Sequence, residues 1–420
     1  MAQDPGQPIR PLGLTSAQFV EAARARGGSA FAARDQYKAL FRDGVVPASW
    51  MTTADETDAK SNARTSSNCL FTDYPVTATL VEGETSKFVL RLVDPGWNGL
   101  ETESVLIPMP RASGTTTTLC VSSQIGCSMG CRFCETAQMG LLKNLRADQI
   151  VHQWWAGTHR VQRASGNAIK NIVFMGMGEP TDNIDEVIQA IRVLVDHDGA
   201  MVPASNISVS TVGNPDGIEK IGQLVRETGF HRLNLALSLN APNDEIRSAI
   251  MPVNKAWPMA RLKDALLAFP RFSKAAFCVE YVLIPGVNDA DEHCDEVCAF
   301  LREVRCSLNV IPYNPRRNSP WPAPEESDVD RFVARAVTNG QFTKRRGTKG
   351  RNVMAACGQL GNEHIRNRRL MNEDGTSAPV TPGLVRPGLV KPDLVKQGLV
   401  KSGLVKLGLP VDPNANRNQA

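Results

Sequence analysis

Between Cys120 and Gly140 the chain reads CVSSQIGCSMGCRFCETAQMG, a stretch that holds four of its ten cysteines. Cys127, Cys131 and Cys134 are spaced C-x3-C-x2-C. Three thiolates at that spacing can wrap one face of a compact soft-metal centre. A structural zinc site normally takes four ligands, often as two separated pairs, and no local Cys or His completes such a pair. A cubane [4Fe–4S] cluster has four irons, so three thiolates leave one iron open to a substrate or cofactor. Phe133 before the last cysteine, and the loop's place just after a predicted strand, favour the cluster over a zinc knuckle or three unrelated thiols. Cys120 stands apart, seven residues ahead of the trio on an apolar strand, and Cys357 lies far away in the Ala-rich loop AACGQL. Taken alone, each reads as an inert thiol. Cys278, Cys294, Cys298 and Cys306 sit in apolar or amphipathic stretches and read as ordinary core or surface residues, as does Cys69.

These thiols need a frame. Six strand–helix units follow one another, with strands TLCVSSQ (118–124), NIVFMGM (171–177), NISVSTV (206–212), LNLALSL (233–239), FCVEYVLI (277–284) and SLNVIPY (307–313), and QFTKRR as a short closing strand. Val-, Ile- and Leu-rich strands alternating with amphipathic helices imply a parallel sheet. The fold class is therefore α/β, a partial, open (β/α)6 barrel, with functional residues expected at the C-terminal ends of the strands. Ahead of it, two helical patterns flank Gly27-Gly28, with Thr15 or Ser16 as a helix cap. VTATLVEG, SKFVLRLVD and ESVLIPMP read as short strands, and ASGTTTT as a loop. The expected organisation is a helical accessory unit at 1–50, a linker at 51–69, strands leading into the core at 70–110, the partial barrel at 111–365 including the Cys357 loop, and a tail at 366–420. From Gly383 the tail repeats every five residues as GLVRP GLVKP DLVKQ GLVKS. That period matches neither helix nor strand, so the tail is expected to be disordered.

Of the 420 residues, 42% are hydrophobic and 21% charged, which is ordinary for a globular protein. Ten cysteines clustered in so long a chain suit metal binding or catalysis better than a disulfide scaffold. The net charge of +4 permits an anionic partner without demanding one. No apolar run is long enough to span a bilayer, and the N-terminus lacks the apolar core of a secretory signal, so a cytoplasmic protein with no membrane partner is expected.

C-x3-C-x2-C with an aromatic residue before the last cysteine resembles the signature of the radical S-adenosylmethionine (SAM) superfamily, and Met177-Gly178-Glu179-Pro180 resembles its element for the SAM amino group. TLCVSSQIGCSMGCRFC, NIVFMGMGEPTDN, LALSLNAPND and AACGQL together resemble the RlmN/Cfr family of RNA adenine methyltransferases, over about residues 70 to 365. The resemblance implies a partial (β/α)6 radical-SAM barrel in which Cys127, Cys131 and Cys134 ligate a [4Fe–4S] cluster. It implies SAM contacts at Gly178, Glu179, Ser210, Ser238, Leu239, Asn240 and Asn314. It makes Cys357 the S-methylated cysteine, Cys120 the resolving thiol that forms a transient disulfide with it, and Glu103 in ESVLIP the proton acceptor. The implied reaction spends two SAM per turnover. One methylates Cys357; the other yields a 5′-deoxyadenosyl radical that takes a hydrogen from that methyl group, and the methylene radical adds to the adenine. The implied partners are 23S rRNA and possibly tRNA, and an electron donor such as flavodoxin or ferredoxin, with the enzyme a monomer.

The basic runs at 343–351 and 366–369 flank Cys357 and could meet a phosphate backbone. The target base must leave its stack to reach the cluster, so a folded or loop RNA is expected. Asn240 stands where the family usually has His, Arg351-Asn352-Val353-Met354 stands where an acidic segment is usual, and the pentapeptide tail is foreign to the family. Carbon 2 of adenine is the expected target. Methylation at carbon 8, a radical SAM enzyme with a non-RNA substrate, and a zinc-stabilised RNA-binding protein without catalysis remain open.

Overall fold

The structure, a computed structural model, describes residues 7–51, 68–97, 99–111, 114–161, 166–270, 272 and 276–362. All of these fall within one compact unit, Met1–Ala378. Most of the expected linker, the 366–369 basic run and the repeat tail lie outside the described residues.

Helices α1 (Ser16–Ala25) and α2 (Ala30–Arg42) open the described chain. Thr15 caps α1 in a reciprocal box with Gln18, which satisfies backbone donors that the first turn leaves unpaired. Strands β1 (Val76–Glu82), β2 (Thr85–Arg91), β3 (Glu101–Arg111) and β4 (Gly114–Cys120) form an antiparallel meander. The expected ASGTTTT loop is mostly strand: Gly114 pairs with Arg111 and the register runs unbroken to Cys120 opposite Val105. Its four threonines are β-branched and suit a pleated, half-buried surface, which overrides their polarity.

After β4 the cysteine loop is framed by β5 (Gln124–Ile125), the short helix α3 (Glu135–Gln138) and β6 (Lys143–Asn144), which pairs with β5. None of these three was expected. The six strand–helix units then follow: α4 (Ala147–His159) completes the unit of β4, and β7 (Ile169–Phe174) leads to α5 (Ile184–Val195). Strand β8 (Ile207–Thr211) leads to α6 (Pro215–Val225), and β9 (Asn234–Ser238) to α7 (Asp244–Ile250) and α8 (Met259–Ala268). Strand β10 (Phe277–Leu283) leads to α9 (Asp291–Leu301), β11 (Cys306–Pro312) to α10 (Glu326–Thr338), and β12 (Thr343–Arg345) closes the set.

The main sheet has ten strands in the order β1-β2-β3-β4-β7-β8-β9-β10-β11-β12 and is parallel from β4 onward. Its ends do not pair with each other, so the curved parallel part stays open. One core runs through it, filled by residues such as Ile172, Val209, Leu237, Val279 and Leu308. The same core includes Tyr37, Leu40 and Phe41 of α2, and Trp155 Nε1 of α4 donates to the Leu40 carbonyl at 2.9 Å. Among the described residues no helix is long and apolar enough to cross a membrane.

The two ends of the cysteine loop touch at one glycine. Gly126 has φ of +75°, and a Cβ there would lie 1.7 Å from the Gly140 carbonyl oxygen, which itself accepts from the Cys127 N–H at 3.0 Å. Gly126→Ala is expected to destabilise the protein by about 2 kcal/mol or more, through strained φ and a backbone overlap that cannot relax cheaply. A thermal melt of the two proteins checks this.

Candidate active site

A cleft of about 1000 Å³, counted with its open mouth, lies at the C-terminal ends of the parallel strands. Cys127, Cys131 and Cys134 form one wall, and Cys357 enters from the loop after β12. Gly178, Glu179, Ser210, Ser238, Asn240 and Asn314, each at or just beyond a strand end, form much of the rest. Leu239 is fully buried with its side chain in the core. Cys120 and Glu103 are buried and are not among the residues that line the cleft.

Burial is the main cause that pushes all three loop thiols above their usual range, and the charge of Cys131 on Cys127, and of Cys134 on Cys131, adds to it. Close, buried thiolates need a positive centre to ionise together. Among the described residues no three His, Cys, Asp or Glu side chains converge as a single metal ion requires. Three soft thiolate donors suit a [4Fe–4S] cluster, each binding one of its irons. Arg247 of α7 lies beneath, fully buried, and its charge favours the Cys131 thiolate. Its guanidinium donates to the Leu239, Val212 and Ser238 carbonyls at 3.1, 2.5 and 3.3 Å and to Asn254 Oδ1 at 2.7 Å. Burial lowers its pKa to about 10, which leaves it charged at neutral pH while it ties the ends of β8 and β9 together.

Gly178 has φ of +97°, and a Cβ would meet Gln124 Cβ at 2.4 Å, so only glycine fits. Gln124 Oε1 in turn accepts from the Glu179 N–H at 2.8 Å, fixing the turn after β7. The Glu179 carboxylate is buried and raised by that burial, although it accepts from Thr181 N at 3.1 Å, from the Thr181 hydroxyl and from Val212 N at 3.0 Å. Ser210 and Ser238 present hydroxyls 3.5 Å apart. Asn240 adopts φ of +59°, which asparagine tolerates better than most residues, and its Oδ1 accepts from Val282 N at 2.9 Å. Arg351, in the segment that departs from the family pattern, donates from Nε to Asn314 Oδ1 at 3.1 Å.

The fold brings Cys120 and Cys357 within electrostatic reach of each other. Burial raises the Cys120 thiol first, and the charge of Cys357 second. The two sulfurs are not bonded to each other. Although exposed to the cleft, the Cys357 thiol is pushed up by partial desolvation from the surrounding cleft walls and by the charge of Glu280, with Arg346 opposing, which favours the thiol form. Its loop is clamped at several points: the Glu135 N–H donates to the Gly358 carbonyl at 2.6 Å, the Thr136 hydroxyl to the Leu360 carbonyl at 2.6 Å, and Gln359 Nε2 to the Pro315 carbonyl at 3.0 Å.

Glu103 is buried and faces this loop rather than the cleft. Its Oε2 accepts from Gly361 N at 3.2 Å and pairs with Lys87 Nζ at 3.3 Å, and Lys87 also donates to the Met354 carbonyl at 3.2 Å. Removing one partner of such a buried pair strands the other charge. Lys87→Met is therefore expected to destabilise the fold by about 3 kcal/mol, and adding Glu103→Gln to recover much of that loss. Denaturant unfolding of the two single variants and the double variant measures it.

Sequence reasoning missed Glu280, Arg247 and Lys87. For Glu280 the signal was present, a lone carboxylate inside the apolar strand FCVEYVLI; Arg247 and Lys87 sit in ordinary amphipathic patterns and carried none.

A model of the radical SAM superfamily matches residues 121–297. The chain is 39% identical to a probable dual-specificity RNA methyltransferase RlmN 1 of Protochlamydia amoebophila, over 86% of this chain and 96% of that protein. It is 36% identical to a dual-specificity RNA methyltransferase RlmN of Geobacter sulfurreducens, over 80% of this chain and 87% of the relative. A solved structure of a radical SAM methyltransferase from Sphaerobacter thermophilus superposes with a TM-score of 0.72 at 33% identity, covering 84% of this chain and 99% of that one. With the partial barrel, the three-cysteine wall and these relatives in agreement, the chain belongs to the RlmN-type RNA methyltransferases of the radical SAM superfamily, enzymes that work with a [4Fe–4S] cluster and SAM.

Proposed function

We propose that this enzyme methylates carbon 2 of an adenine in 23S rRNA, and in tRNA, by way of a methyl group carried on Cys357. The observation that supports the reading is that Cys120 and Cys357, two thiols remote in sequence, lie near enough for the charge of one to act on the other, with Cys357 lining the cleft. A radical SAM enzyme without a methyl-carrying cysteine has no use for that pair.

Bound in the cleft, the cluster and two SAM molecules per turnover supply the electron, the methyl group and the radical chemistry that a non-nucleophilic ring carbon requires. Cys127, Cys131 and Cys134 hold the cluster. Glu179 and the backbone at Gly178 receive the SAM amino group, and Ser210, Ser238, the Leu239 backbone, Asn240 and Asn314 hold the rest. Cys357 presents sulfur to the incoming base. Glu103 accepts the ring proton once the Gly361 contact of its loop opens. Cys120 then attacks the linking sulfur, and the disulfide with Cys357 releases the product. The exposed residues Lys344, Arg346, Lys349 and Arg351, on the segment leading to Cys357, would meet RNA phosphates. A small electron-transfer protein such as flavodoxin or ferredoxin supplies the reducing electron.

Mass spectrometry of rRNA and tRNA from cells lacking the gene tests this. Loss of a 2-methyladenosine supports the reading. Loss of an 8-methyladenosine instead moves the target to carbon 8, and unchanged RNA removes RNA as the substrate.

A further inference from the structure

Among the residues that line the cleft are two carboxylates, Glu179 and Glu280. Donors from Thr181, Val212 and Thr211 occupy Glu179. Glu280 is different. It sits in the middle of β10, in register with Ser238 of β9 and Asn309 of β11, and its side chain is directed into the cleft although the residue is only 6% exposed. Among the described residues no group donates a hydrogen bond to its carboxylate, whereas buried carboxylates are normally hydrogen-bonded or paired. Its charge acts on Cys357, Cys120 and Cys278; the cation that acts on it is Arg346, just beyond β12. A buried carboxylate with open acceptor positions, lining the same cleft as the Cys357 thiol and near enough for its charge to act on it, is a candidate base.

We propose that Glu280 takes the proton of Cys357 when that sulfur is methylated, the step that loads the enzyme. The inference rests on Cys357 being the methyl carrier. The Cys357 S–H proton passes to a Glu280 oxygen while a bond forms from Cys357 sulfur to the methyl carbon. The carbon–sulfur bond of the sulfonium donor breaks, and its electron pair stays on the departing sulfur, which becomes a neutral thioether. One positive sulfonium and one negative carboxylate are thus replaced by two neutral groups. In a cleft of low dielectric, that cancellation favours the transfer. Burial also keeps Glu280 easier to protonate than an exposed glutamate.

The test is the first methylation of Cys357 in the full-chain holoenzyme, followed by peptide mass spectrometry with isotopically labelled SAM at saturation. Glu280→Gln is expected to slow loading by about 100-fold or more, the usual contribution of a positioned base, with cluster absorbance and affinity for S-adenosylhomocysteine little changed, and Glu280→Asp to recover part of the rate. A second readout needs no turnover. Without SAM, iodoacetamide should modify Cys357 more slowly in Glu280→Gln than in the wild type, because alkylation of that sulfur sheds the same proton to the same base. Weaker nucleoside binding with an unchanged loading rate overturns the proposal and makes Glu280 a binding group. Unchanged loading and unchanged alkylation overturn it as well. If the wild type itself gains no methyl on Cys357, the carrier reading fails first and Glu280 falls with it, an outcome distinguishable from failure of Glu280 alone.

Discussion

Cys357→Ala is expected to give a folded protein that keeps its cluster, binds SAM and transfers no methyl group to RNA. The side chain is exposed to the cleft and fills no core space, so its truncation changes stability by well under about 1 kcal/mol. The activity loss should be total within detection, at least about 10³-fold, because a covalent carrier has no substitute once its nucleophile is gone. The measurement is methyl transfer from labelled SAM to RNA under reducing, anaerobic conditions, beside cluster absorbance. Full methyl transfer by this variant would remove the carrier from the mechanism and leave a direct radical reaction. A colourless protein that holds zinc and never cleaves SAM would remove the radical chemistry altogether.

Much of this site is legible in the sequence because its chemistry is carried by side chains at fixed local spacing. Cys127, Cys131 and Cys134 need only a loop, and strand periodicity locates the ends where Glu179, Ser210 and Ser238 stand. The parallel order follows from apolar strands alternating with amphipathic helices, and each of the six strand–helix units is found. What local pattern does not carry is contact between distant segments. The hairpin of β3 and β4 depends on threonines that look like loop until they find a partner strand. Arg247 looks like a surface arginine on a short helix, yet tertiary packing buries it under three backbone carbonyls. Lys87 reads as the polar residue of an alternating strand, and only its meeting with Glu103 and the Met354 carbonyl reveals that it joins the expected proton acceptor to the loop bearing Cys357. Asn240 shows the converse. Its replacement of the usual His reads as a change in cofactor contact, whereas its side chain also caps β10 at Val282 from a left-handed backbone.

Cys120→Ser is expected to trap the enzyme on its substrate. If RNA becomes joined to Cys357 through the transferred carbon, release requires a second sulfur able to attack the first and form a disulfide. Serine matches cysteine closely in size and keeps a polar hydrogen at the end of β4, so the strand pairing with Val105 and Val173 should remain intact. Its hydroxyl, however, ionises far above neutral pH and forms no stable bond to sulfur. One round of reaction should therefore leave a covalent protein–RNA species that survives denaturing electrophoresis, while multiple turnover is lost. The position of Cys120 sharpens the expectation. Burial and the nearby Cys357 hold it as a thiol in the resting enzyme, so it does not compete for the methyl donor or oxidise prematurely. It becomes a nucleophile only when a group at the cleft takes its proton, and the charge of Glu280 reaches Cys120 as well as Cys357. If Glu280 returns the proton it gained on loading before resolution begins, Glu280→Gln should also accumulate some of the same adduct, less than Cys120→Ser does. Normal turnover by Cys120→Ser, with no adduct at any time point, would show that the two thiols meet for packing and that release proceeds without a disulfide.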